Sequence, residues 1–371
     1  MSVRHDRASR TLWYLCLELP IEGHASHTHV TGIIKGLSAR GWRTTLWHPP
    51  SRAGVRGPAR RLLDSLTTQA RLLLRRDGPD VMYIRGHFAS LPTVVWARLR
   101  GVPVAFEVNG PYTDVLSSWP RARWVLPLIR ASAYLQLRLS TLVIAVTPEL
   151  CRSSSAAGAR QCHVVSNGAD VELFTPSAST ASTAQILPTK FVSFAGTLAT
   201  WQGIDTLLAA MDRPTWPPDV SLVIIGDGVL TDVVRAKAEV DPRVTYLGRL
   251  PPRDVSGIVA RSLGAIAPKS AQLHARTGVV PLKLFEAMAS GVPVVVTDLP
   301  GQADIVSAHA CGIVIRPGDP SAIAGAVATL AGDPELARQM GERGRTAAVA
   351  EYSWDASAGR THEILVGLAR D

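Results

Sequence analysis

The chain predicts an α/β protein made of two doubly wound, Rossmann-like parallel-sheet domains facing across a cleft. Three observations carry this. Apolar runs rich in β-branched residues alternate with helical patterns along nearly the whole sequence. That rhythm breaks once, at residues 175–189, where Ser, Thr, Ala and Pro dominate, and then restarts. With 371 residues there is enough chain for two ordinary domains, each with a full core.

In chain order, strands are expected at 11–18, 43–47, 81–85, 103–109, 141–147 and 162–166. Between the first two, Val30, Ile33, Ile34 and Leu37 recur at helical spacing until Gly41. Residues 62–74 read as a basic amphipathic helix. After the break, strands are expected at 191–196, 221–226, 244–247, 265–268, 292–297 and 313–315, with helices from Ser321 to the end. The expected organisation is a first domain over 1–175, a linker over 176–189 and a second domain over 190–350. Residues 351–371 then form a helix that can cross back to the first domain. Doubly wound sheets place ligands beyond the carboxyl ends of their strands, so the cleft is the expected site.

Composition narrows the class. Hydrophobic residues at 46% and charged residues at 19% describe a globular protein and exclude a disordered one. No apolar run reaches eighteen residues without a charge, so no transmembrane helix is expected. Residues 11–17 suit a first strand better than a signal peptide. Cys16, Cys151, Cys162 and Cys311 show neither CxxC nor metal-ligand spacing and read as thiols in a reducing cytoplasm.

The net charge of +9 is uneven: residues 1–180 carry 22 Lys and Arg against 11 Asp and Glu, and the remainder 17 against 19. Arg52, Arg56, Arg60, Arg61, Arg71, Arg75 and Arg76 form one cluster, and Arg121, Arg123, Arg130 and Arg138 another. Arginine interleaved with Leu, Trp and Tyr suits an anionic membrane surface or an ordinary solvated face. Nucleic acid is disfavoured, because no recognition motif accompanies the charge.

The most informative stretch is 276–298, RTGVVPLKLFEAMASGVPVVVTD. Thr277 and Gly278 form a loop, Pro281 suits the first helical position, and Leu282 to Ser290 reads as a largely apolar helix closed by Gly291. Lys283 and Glu286 share one side of that helix. Either they pair at a surface or both face a polar cleft. A glycine-containing loop entering a helix N-terminus is suited to an anion, and a phosphorylated sugar would fit.

PLKLFEAMASGVPVVVTDLPG resembles the donor-site segment of the family-4 (group 1) retaining glycosyltransferases, which have the GT-B fold. The resemblance implies that Glu286 contacts the ribose of a nucleotide sugar and that the amides of Gly278, Val279 and Val280 hold its diphosphate. Gly278 stands where many relatives have a second glutamate. Gly196-Thr197-Leu198, with Trp201-Gln202-Gly203, resembles the family's G-x-L…K-G element, with Gln202 in place of the lysine. Lys283 would supply the missing cation. The segment through Arg249 and Leu250 resembles the part whose backbone meets the base. Gly226-Asp227-Gly228 and the Asn167-Gly168-Ala169-Asp170 element resemble structural turns of the family.

On the acceptor side the resemblance implicates the loop Glu22, Gly23 and His24, and the segment Glu107-Val108-Asn109-Gly110-Pro111-Tyr112. Asn109 stands at a position where many relatives carry histidine. Asn109 and Tyr112 are acceptor candidates, and Arg85 a weaker one. Asn109 joins Glu286 and Lys283 as a catalytic candidate. Asn-Gly-Pro is equally an ordinary turn. His24, His27 and His29 lack zinc spacing, and no D-x-D occurs, so neither metal nor other cofactor is expected.

The resemblance therefore implies a metal-independent hexosyltransferase that moves a sugar from a nucleoside diphosphate to an acceptor hydroxyl. The basic first half suggests a lipid-linked acceptor in cell-surface polysaccharide or glycolipid synthesis, at the cytoplasmic membrane face. A soluble small-molecule acceptor, a nucleotide-sugar epimerase and a non-catalytic nucleotide-sugar binder are the alternatives.

Overall fold

Twelve short apolar segments pair into two parallel sheets in the computed structural model, which describes residues 10–18, 25–50, 57–118, 120–179, 187–271 and 277–368. The first unit holds β1 (Thr11–Leu15), β2 (Arg43–Trp47), β3 (Val81–Arg85), β4 (Val104–Val108), β5 (Leu142–Ala145) and β6 (Cys162–Val164). Their spatial order is β2-β1-β3-β4-β5-β6. Connecting them are α1 (Ala25–Ala39), α2 (Pro58–Leu73), α3 (Leu91–Leu99), the single turn α4 (Val115–Ser118), α5 (Leu126–Leu139) and α6 (Pro148–Ala156).

The second unit holds β7 (Phe191–Ala195), β8 (Ser221–Ile225), β9 (Val244–Tyr246), β10 (Ala265–Ala267), β11 (Val294–Thr297) and β12 (Gly312–Ile315), in the order β12-β11-β10-β7-β8-β9. Its helices are α7 (Ile204–Ala210), α8 (Thr231–Val240), α9 (Pro252–Ala260), α10 (Leu282–Ala289), α11 (Gln302–His309), α12 (Pro320–Gly332) and α13 (Pro334–Ala350). A last helix, α14, runs over Trp354–Leu368.

The central strands are buried along their length, as parallel strands covered on both faces must be. In the first unit Leu15, Met82, Ile84, Val104 and Phe106 meet Val94 and Ala97 of α3. In the second, Phe194, Leu222, Ile224 and Val295 pack with Leu207, Val327 and Leu330 from the helices. Where strand order reverses, a crevice opens at the carboxyl ends. That point lies between β1 and β3 in the first unit and between β7 and β10 in the second.

Two expectations need correcting. The first compact unit ends at Ser166 and takes up the chain again from Ser357, and the second begins at Asn167. Residues 167–175 therefore belong to the second unit. Ala169 donates its amide to the Tyr352 carbonyl at 2.8 Å, and Arg345 donates to the carbonyls of Val171 and Phe174. Within the first unit, Trp42 Nε1 donates to His362 Nδ1 at 2.9 Å, which fixes α14 beside α1 and β2. Half of the expected linker, residues 180–186, lies outside the described residues.

The cysteines are not all thiols. Cys151 of α6 and Cys162 of β6 are joined by a disulfide, whereas Cys16 and Cys311 are free and buried. Spacing could not reveal the pair. Eleven residues separate the two, and only the turn of α6 back onto the sheet edge brings their Cα atoms within 5.7 Å.

Candidate functional site

In the second unit the crevice between β7 and β10 gathers the phosphate-side candidates. β7 runs into Gly196, whose φ of 146° and lack of a side chain matter here: a Cβ would lie 2.8 Å from Lys283 Nζ. Gly203 allows the next turn to close on the loop after β10, since a Cβ there would sit 1.6 Å from the Pro268 carbonyl oxygen.

Lys283 enters this space from α10. Its Nζ donates to Gln202 Oε1 at 3.2 Å and lies 3.6 Å from the centroid of the Phe194 ring. An ammonium only donates, so the Gln202 oxygen must face it and the amide NH2 must face away. The position where the resemblance expects a lysine thus carries the neutral partner of one supplied by another helix. Lys269, directly after β10, is 4% exposed, with its Nζ 4.3 Å from the Trp201 ring centroid. Sequence reasoning missed it; its signal was a lysine directly after a strand expected at the switch point.

The electrostatics follow from crowding cations in a shielded place. Burial drives the Lys283 amine well below the ordinary ammonium range, Lys269 pushes it further down, and Glu286 opposes both. Burial lifts the Glu286 carboxyl to about 7, against the pull of Lys283. Among the described residues Lys283 and Glu286 form no ion pair. Both instead line a narrow recess against Ala195, Ile266 and Ala267. Of the two expected alternatives, the surface pair is not formed, and the recess the two residues share is lined mainly by apolar side chains.

The loop before α10 is partly as expected. Gly278 has φ 69°. Val279, however, donates its amide to the Pro300 carbonyl at 2.9 Å, so that amide is not available to an anion. The Val280 carbonyl accepts from Asn167 Nδ2 at 2.9 Å. Pro281 is the N-cap and Leu282 the first helical residue, one position later than expected. Thr197 is exposed beside Gly196. Arg249 is exposed and Leu250 packs on the cluster of Phe191, Val223, Ile225 and Ile258.

In the first unit a different group assembles at the ends of β1, β3 and β4. Glu107 of β4 is 1% exposed. Its Oε1 accepts from Arg85 Nη1 at 2.9 Å and from Asn109 Nδ2, with His29 Nε2 2.9 Å away as an ion-pair partner, and its Oε2 accepts from the Tyr83 hydroxyl at 2.6 Å. The Tyr14 hydroxyl stands 3.4 Å from the same Oε2. Burial alone would raise the Glu107 carboxyl, but His29 and Arg85 beside it, with the Tyr83 hydroxyl, hold it well below the usual carboxylate range. Burial likewise opposes the Arg85 charge, and Glu107 and Glu18 overcome it, raising that group above its ordinary value.

This brings Arg85 and Asn109 together and gives each a partner that sequence reasoning assigned no role. The carboxylate accepts and cannot donate, so it fixes the Asn109 amide with NH2 inward and Oδ1 outward. The signal for Glu107 was legible: an acid inside an apolar central strand must have partners. Of the clustered histidines, His29 shares a stripe on α1 with Ile33 and Leu37 and is buried. Tyr112 joins a different group, edge-on to Tyr134 at 6.1 Å. Glu22, Gly23 and His24 lie outside the described residues.

Comparison with known proteins agrees with this architecture. Residues 181–347 match the family model for glycosyl transferases group 1, and residues 8–173 that for glycosyltransferase family 4. Fold and family together define a GT-B glycosyltransferase, and the chain belongs to the family-4, group 1 enzymes. Glycogen synthase of Mycobacterium tuberculosis is 22% identical over 335 residues, covering 89% of this chain and 76% of that protein. The structure of sucrose-phosphate synthase from Thermosynechococcus elongatus superposes with a TM-score of 0.78 at 20% identity, covering 97% of this chain and 99% of the other. Anabaena HepE in complex with UDP-glucose gives a TM-score of 0.74 at 18% identity, covering 96% and 100%.

Proposed function

We propose that the chain transfers a hexose, with retention, from a nucleoside diphosphate sugar held by the second unit to an acceptor hydroxyl bound by the first. The observation that carries this is the convergence of two shielded amines, Lys283 and Lys269, at the β7–β10 switch point. Cations placed where they are poorly solvated are suited to a polyanion, and a leaving diphosphate develops the charge they would stabilise. Gly196 and Thr197, with the amides of Gly278 and Val280, would complete that cradle. Gln202 would orient the Lys283 amine, and Glu286 would meet the ribose. The segment through Arg249 and Leu250 would border the base.

Transfer would proceed on one face of the sugar, with the leaving phosphate taking the proton of the acceptor hydroxyl. No protein base is then required. Asn109 Oδ1, turned outward by Glu107, would accept a hydrogen bond from the acceptor, with Arg85 behind it. No metal is required in this scheme, and activity should persist in EDTA. The basic first half favours a lipid-linked acceptor for surface polysaccharide or glycolipid, used at the cytoplasmic membrane face.

Calorimetric titration of UDP, GDP, ADP and dTDP into the wild type and Glu286→Ala tests the donor site. One diphosphate should bind, and the variant should bind it about ten-fold more weakly, as loss of one charged hydrogen bond predicts. Equal binding by both proteins would displace the donor site from α10. Binding without turnover against any acceptor would favour the non-catalytic alternative.

A further inference from the structure

Most of the buried face of helix α2 is polar: Asp64, Ser65, Thr68 and Gln69 are 6%, 3%, 5% and 1% exposed, and only towards the C-terminal end does Leu72 enter the core, with Leu73 packed against it. Leu62, Leu63 and Leu66 instead point away from the protein, 43%, 49% and 46% exposed, as does Leu74 at the C-cap, 82% exposed. On the inward face Asp64 stands 3.7 Å from Arg60 Nε, and Ser65, Thr68 and Gln69 are hydrogen-bonded. Gln69 Nε2 donates to the Ala89 carbonyl at 2.9 Å, and Gln69 Oε1 accepts from Thr93 Oγ1 at 2.8 Å. Thr68 and Ser65 return their hydroxyl protons to the carbonyls of Asp64 and Arg61. The Gln69 bonds fix the orientation, because turning the helix over would break them and strand the buried Thr93 hydroxyl.

The outward face has a definite pattern. Leu62, Leu66 and Ala70 follow each other at four-residue steps, and Leu63 and Leu74 flank them. Arg60 and Arg71 lie three turns apart on one border of this stripe, and both are exposed. Residues 57–76 carry five arginines and a single acid, Asp64, which is buried. The outward face thus offers leucine and arginine and no negative charge. On the same unit, α5 packs against α3 and α3 against α2. Beside α5, Trp124 is 77% and Leu128 72% exposed, among the exposed arginines Arg121, Arg123 and Arg130.

We infer that α2 is an interfacial helix that lays Leu62, Leu63 and Leu66 into an anionic lipid bilayer, with Arg60 and Arg71 at the headgroups. A bilayer supplies apolar depth beside negative charge, which this face lacks and complements. A second copy would bring arginine against arginine with no exposed acid on α2 to meet it. Exposed tryptophan beside arginine is the further mark of a headgroup-level surface. No described helix is long and apolar enough to cross a membrane, so attachment through α2 is lateral. The inference deepens the lipid-linked acceptor reading, and α2 contributes no residue proposed for donor or acceptor chemistry.

The test is flotation of the full chain with phosphatidylcholine vesicles, alone and with about one third phosphatidylglycerol, at low and high salt. The wild type should float with the anionic vesicles and not with the neutral ones. Leu62→Ser/Leu63→Ser/Leu66→Ser should lower the bound fraction about ten-fold or more, and Arg60→Glu/Arg71→Glu similarly, while Arg261→Glu on the second unit leaves it unchanged. Diphosphate affinity, measured in parallel, should be equal in all four proteins and shows each to be folded. The inference is overturned if the wild type does not float, if the leucine variant floats as well as the wild type, or if that variant instead dissociates a dimer. Flotation lost with the leucines, without glycosyl transfer to any lipid acceptor, would uphold the interfacial helix and sink the acceptor reading alone.

Discussion

The cluster around Glu107 and the cluster around Lys283 are built on opposite plans. Around Glu107 one buried carboxylate is surrounded by partners: an arginine, an amide and a tyrosine hydroxyl that donate to it, and a histidine at ion-pair distance. Around Lys283 the shielded charges are mainly cationic, and the nearest acid, Glu286, has its carboxyl lifted to about 7. The first arrangement is balanced within the protein and holds side chains still. The second gains most from an anion that arrives from outside. A buried charge whose partners are all present is a scaffold, and one whose electrostatics improve on binding is a receptor.

The largest expected break in this contrast is Glu107→Ala. Removing one side of a buried charge cluster strands Arg85, and urea unfolding should show a loss of about 3–5 kcal/mol. Diphosphate affinity measured well below the denaturation midpoint should not change. Lys283→Met should do the reverse. Diphosphate affinity should fall about 100-fold, roughly 2.7 kcal/mol, while stability holds or rises because a poorly solvated amine has been removed. Loss of stability without loss of binding would make Lys283 structural and end the comparison.

Acidity sharpens the contrast through signs. The Glu107 carboxyl is depressed in the folded state, so its stabilisation is present above the ordinary value of 4.5 and is lost as pH falls. Glu107→Gln should flatten the acid limb of the stability curve. Glu286 is shifted the other way: its folded value of about 7 exceeds the ordinary 4.5, so the wild type should lose stability relative to Glu286→Gln as pH rises between those values, then level off. The change should be about 1–3 kcal/mol, read from urea midpoints across that pH range. The smallest effect is proton uptake on diphosphate binding. Lys283 is depressed until an anion joins it, so titrations in buffers of different ionisation enthalpy should show a fraction of a proton taken up.

Much of this was legible in the residues. Every described strand lies within one or a few residues of an expected one, because a buried parallel strand must be an apolar run and little else reads that way. The Lys283–Glu286 helix was legible for the same reason, as were Asn109 and Arg85 at strand ends. One reading misled: Cys151 and Cys162 looked unrelated in sequence. Two placements were not written locally. The arginine–leucine helix was legible as amphipathic, but which face points inward depends on the polar groups Ala89 and Thr93 offer from neighbouring segments. Which of the clustered histidines is buried depends on Glu107 standing opposite His29.

By itself the sequence determined the two parallel sheets, the break between them and the family, since periodicity and short motifs are properties of local chain. Only the tertiary structure decided that the Lys283 amine meets Gln202, that Lys269 lies near it, and that Glu107 orients Asn109. Those pairings join residues 81 and 14 positions apart, or two positions apart at a strand end. A charge in such a site takes its value from distance and burial, and neither is written in the order of residues.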